Sequence, residues 1–341
     1  MRIALDAMGS DGAPSPDVEG AVRGARRFGC EILLVGRRDI VEAELARHDT
    51  SGLSISVVHA DEVIGMDEHP AQAVRAKPDS SMVVGMWLVQ SGEADAFVSA
   101  GNSGAVLASA IASKGRLGRI EGVLRPAIST VFPTMTGTAF LLDIGANTDC
   151  RAEWLVQFAI MGEIYARRVL GVENPRVGLL SNGEEENKGS QAVQEAHRML
   201  RETGLYFIGN VEGKDLTSGI ADVVACDGFA GNVAIKTAEG VATMLTTLMR
   251  NEITAHTLTK IGGLLAKPAL RQVARRLDFR EYGGGPLLGV NGVVIIAHGR
   301  SDGFAIENAV RVAVEAVQHD VVGTIRRAMA DAQSTGVEST T

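Results

Sequence analysis

The feature that most limits how this chain can fold is a steady exchange of hydrophobic period. Short β-branched or apolar runs alternate with segments of helical spacing along nearly its whole length. Strands are predicted over residues 2–8, 31–36, 53–60, 96–100, 127–132, 138–144, 176–181, 205–211, 221–226 and 292–297. Helices are predicted over 16–28, 80–91, 103–114, 153–169, 191–201, 232–250 and 304–329. Strand, helix and strand make a βαβ unit, and a series of such units gives a largely parallel sheet with helices on both faces. No Pro- or Ser-rich linker and no internal repeat interrupts the series, so residues 1–330 are expected to form one α/β domain. Residues 331–341 are polar and aperiodic and are expected to be a flexible tail.

Composition narrows the class. The 40 glycines fall in short clusters at the ends of apolar runs, which marks tight turns and backbone-lined ligand sites. A net charge of -8 argues against a nucleic-acid partner. The three cysteines, Cys30, Cys150 and Cys226, form no C-x-x-C pair, and with an N-terminus that reaches glycine and acid too soon for a signal peptide they predict a reducing cytoplasm. No H-E-x-x-H motif or Cys/His cluster occurs, so no metal is expected.

The predicted strand ends carry the chemistry. "DAMGSD" supplies Asp6 and Asp11, "SAGNSGA" supplies Asn102 and Ser103, and "LLDIGANTD" supplies Asp143 and Asn147. "SNGEEENKGS" brings Asn182, Glu186 and Lys188, and "NVEGKD" brings Asn210, Glu212 and Lys214. "CDGFAGNVAIK" brings Asp227, Asn232 and Lys236, and "AHGRSDG" brings His298 and Ser301. One such turn alone is ordinary capping chemistry. Seven of them point to a common cleft, because open α/β sheets bind ligands beyond the carboxyl ends of their strands. A strand followed by "AGNSGA" and a helix offers free backbone N–H groups and a positive dipole end, a site for an anion such as phosphate. Nucleotide loops do not fit: no G-x-G-x-x-G follows a strand, and "GEEENKGS" places three glutamates where a Walker loop would hold phosphates. A cofactor is therefore not expected, which also weakens a dehydrogenase reading.

Residues 299–303, "GRSDG", match the G-x-S-x-G elbow of α/β-hydrolases. In those enzymes the acid and the histidine follow the nucleophile. After Ser301 the sequence predicts one long helix and a tail, and the downstream histidine, His319, falls within that helix. The match is read as a coincidence, with Ser301 expected to cap the last helix or touch a ligand.

Taken in order, "DAMGSDGAP", "AGNSGA", "NGEEENKGS", "NVEGKD", "DGFAGNVAIKTAEG", "EYGGGPLLGVNG" and "HGRSDGFAIENAV" resemble the bacterial phosphate acyltransferases of phospholipid synthesis, from Met1 to about Arg327. Departures are small: Ser10, Ser103 and Gly285 stand where that family usually has Gly, Thr and Ala. The resemblance implies a Rossmann-like α/β/α sandwich, a homodimer, and transfer of a long-chain fatty acyl group from acyl-acyl-carrier protein to inorganic phosphate. Acyl phosphate and free carrier protein would be the products. It further implies Lys188 and Asn232 as the central pair, Lys188 holding phosphate or the oxyanion and Asn232 orienting the acyl carbonyl. His298 is a third candidate, as a donor to the tetrahedral intermediate or as the acid for the leaving thiolate. Asn102, Ser103, Gly104, Gly145 and Asn147 are expected to build the phosphate cradle, organised by Asp6, with Asn182 and Ser301 completing the binding set. Phosphate is already an anionic nucleophile, so this chemistry needs positioning and oxyanion donors more than a protein nucleophile.

One stretch stands apart from the cleft. Between Ile253 and Leu277 lie five cations (Lys260, Lys267, Arg271, Arg275 and Arg276) and no acidic residue. Leu258, Ile261 and Leu265 follow helical spacing, and so do Leu270, Val273 and Leu277 after Pro268. Residues 251–278 are therefore expected to form two basic amphipathic helices meeting near Lys267-Pro268, protruding to an anionic membrane surface, to the acidic carrier protein, or to both. Packing on a dimer partner is the structural alternative. The resemblance places the protein in the cytoplasm at the inner face of the membrane, beside the downstream glycerol-phosphate acyltransferase. Rival functions are a phosphotransacetylase-like enzyme using acyl-CoA and a membrane-docked regulator without catalysis.

Overall fold

The structure, a computed structural model, describes residues 1–112 and 117–337. In chain order it opens with β1 (Arg2–Asp6), α1 (Ser15–Phe28), β2 (Glu31–Gly36), α2 (Arg38–Leu45) and β3 (Ile55–His59). Next come α3 (Pro70–Ala76), α4 (Ser81–Gln90), β4 (Ala96–Ser99) and α5 (Ser103–Ala112). The hairpin of β5 (Ala127–Pro133) and β6 (Thr138–Leu142) leads to α6 (Ala152–Arg168), β7 (Val177–Leu180), α7 (Gln191–Arg201), β8 (Phe207–Val211) and β9 (Val223–Ala225). The chain then runs through α8 (Gly228–Ala255), α9 (Thr257–Leu277), α10 (Phe279–Tyr282), β10 (Gly285–Leu288), β11 (Val293–Ile296), α11 (Gly303–Gln318) and α12 (Val321–Val337).

The strands join in one sheet, ordered β3-β2-β1-β4-β11-β10-β5-β6-β9-β7-β8. From β3 to β11 every pairing is parallel, and from β6 to β8 every pairing is parallel again. The three antiparallel pairings, β11–β10, β10–β5 and β5–β6, lie between them. An odd number of reversals makes the two parallel halves run in opposite directions, with β10 and β5 as the seam. The inner strands such as β2, β4 and β11 are covered on both faces, so their apolar residues run continuously rather than alternating. Along β1, Ile3 and Leu5 join a core shared with α1, α6 and α11, while Ala4 joins the opposite core with α4 and α5. The result is the expected α/β/α sandwich with a mostly parallel sheet. No described helix is long and apolar enough to cross a membrane.

The structure also departs from the sequence reading. β10 was hidden in "GGGPLLG", where glycine and Pro286 argue against a central strand. The predicted helix 304–329 is two helices, because Asp320 takes a left-handed φ of 47° between α11 and α12. α12 then continues to Val337, through part of the stretch expected as tail. Residues 338–341 lie outside the described residues, as do the last two of the predicted helix 103–114. The basic helical pair does not break at Pro268, which sits inside α9. The break is at His256, extended at φ -127° and ψ 155°, where a reciprocal cap between His256 and Thr259 starts α9 afresh. Only Gly228 and Gly231 of α8 and no residue of α9 are buried, so beyond its first turns this pair stands off the sandwich as an arm.

Candidate active site

A cavity of about 510 Å³ lies across the seam. From the first half it takes Asp11 after β1, residues 101–104 after β4 and His298, Gly299 and Ser301 after β11. From the second it takes Ile144 and Gly145 after β6 and one face of α8. Residues 128–131 of β5 and 282–285 at the start of β10 form its floor.

The loops owe their shape to buried carboxylates. Asp6 accepts from Ser99 Oγ at 2.8 Å and from the backbone of Met8 at 3.1 Å. A Cβ on Gly9 would lie 2.7 Å from the Asp6 carboxylate and 2.9 Å from the backbone nitrogen of Gly101, so only glycine lets these two loops meet. Burial raises the Asp6 carboxyl above its usual range. Beside it Asp17 is also fully buried, accepts from Ser10 Oγ at 2.6 Å, and is pushed up to about 8 by burial, with the Asp6 charge adding. Asp143 plays the same part in the other half. Its two oxygens take the N–H groups of Gly145, Ala146 and Asn147 and the Asn147 side-chain amide at 2.7–3.1 Å. Gly145, at φ 146°, lets the chain pass directly beneath Asn232, whose amide lies 3.3 Å from where a Cβ would be.

Of the expected site residues, Asn102, Ser103, Gly104, Gly145, Asn232, His298 and Ser301 line the cavity. Asn102 caps α5 through Ala105 N–H at 3.1 Å and donates to the Met66 and Glu68 carbonyls, tying down the loop before α3. Ser103 and Gly104 then begin the helix, where first-turn N–H groups have no intrahelical acceptor. Asn232 donates one amide hydrogen to the Ile144 carbonyl at 3.0 Å, and an amide carries two. Ser301 does not cap α11; Asp302 does, accepting from Ala305 N–H at 3.0 Å. The downstream histidine of a hydrolase triad, His319, is the residue after α11 and sits about 24 Å along the helix from its start.

Four expected residues lie outside the lining. Asp6 and Asn147 stand behind it, Asn147 donating to the Pro126 carbonyl and to Asp143. Lys188 and Asn182 are exposed in the loop after β7, where Asn182 accepts from Gly189 N–H. The physical reason is distance along the sheet: β7 stands two strands beyond β6, and β8 is the edge strand, so the loops that follow them open away from the seam. Glu186, Asn210, Glu212 and Lys214 belong to the same outer edge, and Asn210 is spent on His197 and the Glu185 carbonyl.

The reading of single strand ends named Asn232 and Lys236 but missed Ile235 and Glu239, which share their helix face. Asn232, Ile235, Lys236 and Glu239 all line the cavity, at the i, i+3, i+4 and i+7 spacing of one face of α8. Lys236 Nζ lies 3.0 Å from Glu239 Oε2 and 3.3 Å from His298 Nε2. Burial first, and then the Lys236 charge, lower the His298 pKa below its usual value. Apolar wall comes from Ile128, Val131, Ile144, Ile235 and Ile296. Cys226 is buried, donates to the Asp143 carbonyl at 3.2 Å and is pushed well above the usual thiol range, so it is a packing group. The arrangement joins anion-binding backbone, a lysine, an imidazole and an apolar wall in one cleft.

A family model described as fatty acid synthesis protein matches residues 1–324. The phosphate acyltransferase of Geobacter sulfurreducens is 49% identical over 94% of this chain and 92% of its own. That of Heliobacterium modesticaldum is 51% identical over 96% and 97%. Among solved structures, a phosphotransacetylase from Streptococcus pyogenes superposes with a TM-score of 0.62 at 16% identity, covering 93% of this chain and 94% of that one. A 4-hydroxythreonine-4-phosphate dehydrogenase from Klebsiella pneumoniae gives 0.51 at 16% identity, covering 93% and 99%. At such identities the two structures attest the fold.

Proposed function

The chain belongs to the phosphate acyltransferases of the fatty acid synthesis protein family, and from that membership we propose that it moves a long-chain acyl group from acyl-acyl-carrier protein onto inorganic phosphate in the cleft across the seam. The enzyme is an acyltransferase; the carrier-bound donor and the two products are the finer part of the reading. A phosphate oxygen attacks the thioester carbonyl, the tetrahedral oxyanion collapses, the C–S bond breaks, and the proton lost by phosphate ends on sulfur. Acyl phosphate and free carrier protein leave.

The observation that carries this reading is the joining of anion donors and an apolar wall in one cavity. Ser103 and Gly104 at the α5 N-terminus receive phosphate. The second amide hydrogen of Asn232 orients the carbonyl, and the isoleucine wall takes the start of the acyl chain. The role of Lys188 rests on the family resemblance, since its loop lies outside the lining of the cavity. The arm of α8 and α9 is the surface for an anionic membrane: Leu258, Ile261 and Leu265 are exposed, and Lys260, Lys267, Arg271 and Arg275 lie along the same helix. A homodimer at the cytoplasmic face of the membrane, handing acyl phosphate to a glycerol-phosphate acyltransferase, completes the reading.

The test is release of free carrier protein from palmitoyl-acyl-carrier protein, with and without phosphate, beside an arm with acetyl-CoA. Phosphate-dependent release that far exceeds turnover of acetyl-CoA is expected. Preference for acetyl-CoA would shift the reading to a phosphotransacetylase-like enzyme. Lys188→Ala in the same assay reports whether that loop reaches the substrates.

A further inference from the structure

We propose that Lys236 is the cation that holds the phosphate nucleophile in this cleft, and that His298 and Glu239 are positioning residues that park its ammonium until phosphate arrives. The inference rests on the acyl-transfer reading of the cleft and assigns the part of that site which the sequence motifs left unassigned. Three observations carry it.

The first is place. Lys236 lies one helical turn beyond Asn232 on α8, and both side chains line the cavity. Ser103 and Gly104 at the start of α5 line it too, so an anion between the two helices meets N–H groups on one side and an ammonium on the other. The second is the company Lys236 keeps. Its Nζ lies 3.0 Å from Glu239 Oε2 and 3.3 Å from His298 Nε2, so the ammonium is shared by a carboxylate and an imidazole. Arg300 also approaches Glu239 Oε2, at 3.8 Å, which leaves this carboxylate facing two fixed cations. With Asp11 also facing His298, the two cations and two carboxylates balance when His298 is neutral, so an incoming dianion competes with Glu239 for the Lys236 ammonium. The third is hydrogen-bond direction. A lysine ammonium only donates, so the Lys236 contact takes Nε2 as the acceptor and leaves the ring proton on Nδ1, which then cannot also accept from the Arg300 N–H 3.3 Å away. Burial and the neighbouring Lys236 charge both favour that neutral form. His298 therefore does not serve as a cationic acid at Nε2 while Lys236 is parked there. It is a rest for the lysine.

The step itself is balanced as in the proposed reaction: phosphate oxygen bonds to carbon, the C–S bond breaks, and the proton of hydrogen phosphate ends on the thiolate. Lys236 stays protonated throughout, holding phosphate oxygens against the carbonyl.

The groups facing His298 are Lys236 and Glu239 from α8, Arg300 from its own loop and Asp11 from the loop after β1. Their mixture of signs makes a decisive readout available. Lys236→Met and Lys236→Arg would be compared with the unaltered protein in two assays. One is phosphate-dependent release of carrier protein from palmitoyl-acyl-carrier protein. The other is affinity for inorganic phosphate alone, read from the rise in melting temperature, with the His298 ring titrated by NMR.

Lys236→Met is expected to lower kcat/KM for phosphate by about 10²–10³, the usual loss for a preorganised charge donor. It should also weaken phosphate affinity at least about tenfold and move the His298 titration upward, because a neighbouring cation is gone. Lys236→Arg should recover part of the phosphate affinity. A folded Lys236→Met protein that keeps kcat/KM within about threefold, or keeps its phosphate affinity, would overturn the inference. If the unaltered protein binds phosphate through Lys236 yet releases no carrier protein, the donor reading falls while the lysine assignment stands.

Discussion

At the scale of single residues, the most unusual chemistry is a pair of carboxyls placed where water cannot reach them. Asp17 has no exposed surface and titrates near 8 in the fold, against about 4 in an unfolded chain. Between those values the folded protein holds a proton that the unfolded chain has lost, so stability falls as pH rises through that window. One proton gives a slope of up to about 1.4 kcal/mol per pH unit. Asp17→Asn removes this proton from the balance. Urea denaturation at pH 5 and pH 7.5 should show the variant gaining on the unaltered protein by about 2–3 kcal/mol between the two conditions. A constant difference would mean that Asp17 is ionised or solvated in the fold. Ser10 Oγ donates to Asp17 at 2.6 Å and holds the carboxyl in this buried place. Polar-glycine turns pointed to Asn102, Gly145 and Asn232, which line the cavity, because turn chemistry is local. They did not locate Glu239 or Tyr282, whose place in the cleft depends on where α8 and β10 lie.

At the scale of elements, the sequence announced helices and parallel strands through period alone, and it failed where tertiary context overrode local preference. β10 is the clearest case. Gly285 and Pro286 are poor strand formers, yet this segment is the pivot of the sheet, and Ser129 Oγ donates to the Pro286 carbonyl at 2.6 Å. A Cβ at Gly285 would come within 1.6 Å of the Ser129 carbonyl, so the backbone there is packed against backbone. The break at His256 is the opposite case: a local cap ended a helix that composition alone would have run on to Pro268. The α1–α11 contact shows how close packing sets sequence. A Cβ on Gly20 would stand 2.3 Å from Ile306 Cβ, and one on Gly24 would stand 2.9 Å from Val310 Cγ1. Alanine is favoured over glycine inside a helix by about 1 kcal/mol, but overpacking costs about 1–3 kcal/mol. Gly20→Ala should therefore lower the urea midpoint despite its better helix propensity. A raised midpoint would mean that α1 and α11 can part without loss.

At the scale of the whole molecule, the arm of α8 and α9 does not follow the rule that large apolar side chains find cover. Leu258 is 81% exposed and Leu265 79%, with Ile261 and Leu264 beside them. Replacing Leu258, Ile261 and Leu265 by glutamate should abolish flotation with vesicles containing anionic lipid and leave turnover on a soluble donor largely intact. Each apolar side chain transferred to lipid is worth roughly 1.5–3 kcal/mol, and the cations add an attraction that salt weakens. A variant that loses its dimer or aggregates, from a parent with little vesicle affinity, would assign the arm to a protein interface instead. The reversed sheet has a consequence of another kind. The two parallel halves meet through a short pair of antiparallel strands at the cavity, and on the face of α1, α6 and α11 they share one core. A substrate lying there touches both halves at once and acts as a clamp across the joint. Binding there stabilises the joint by mass action, so the loaded protein is expected to unfold at a higher temperature than the empty one.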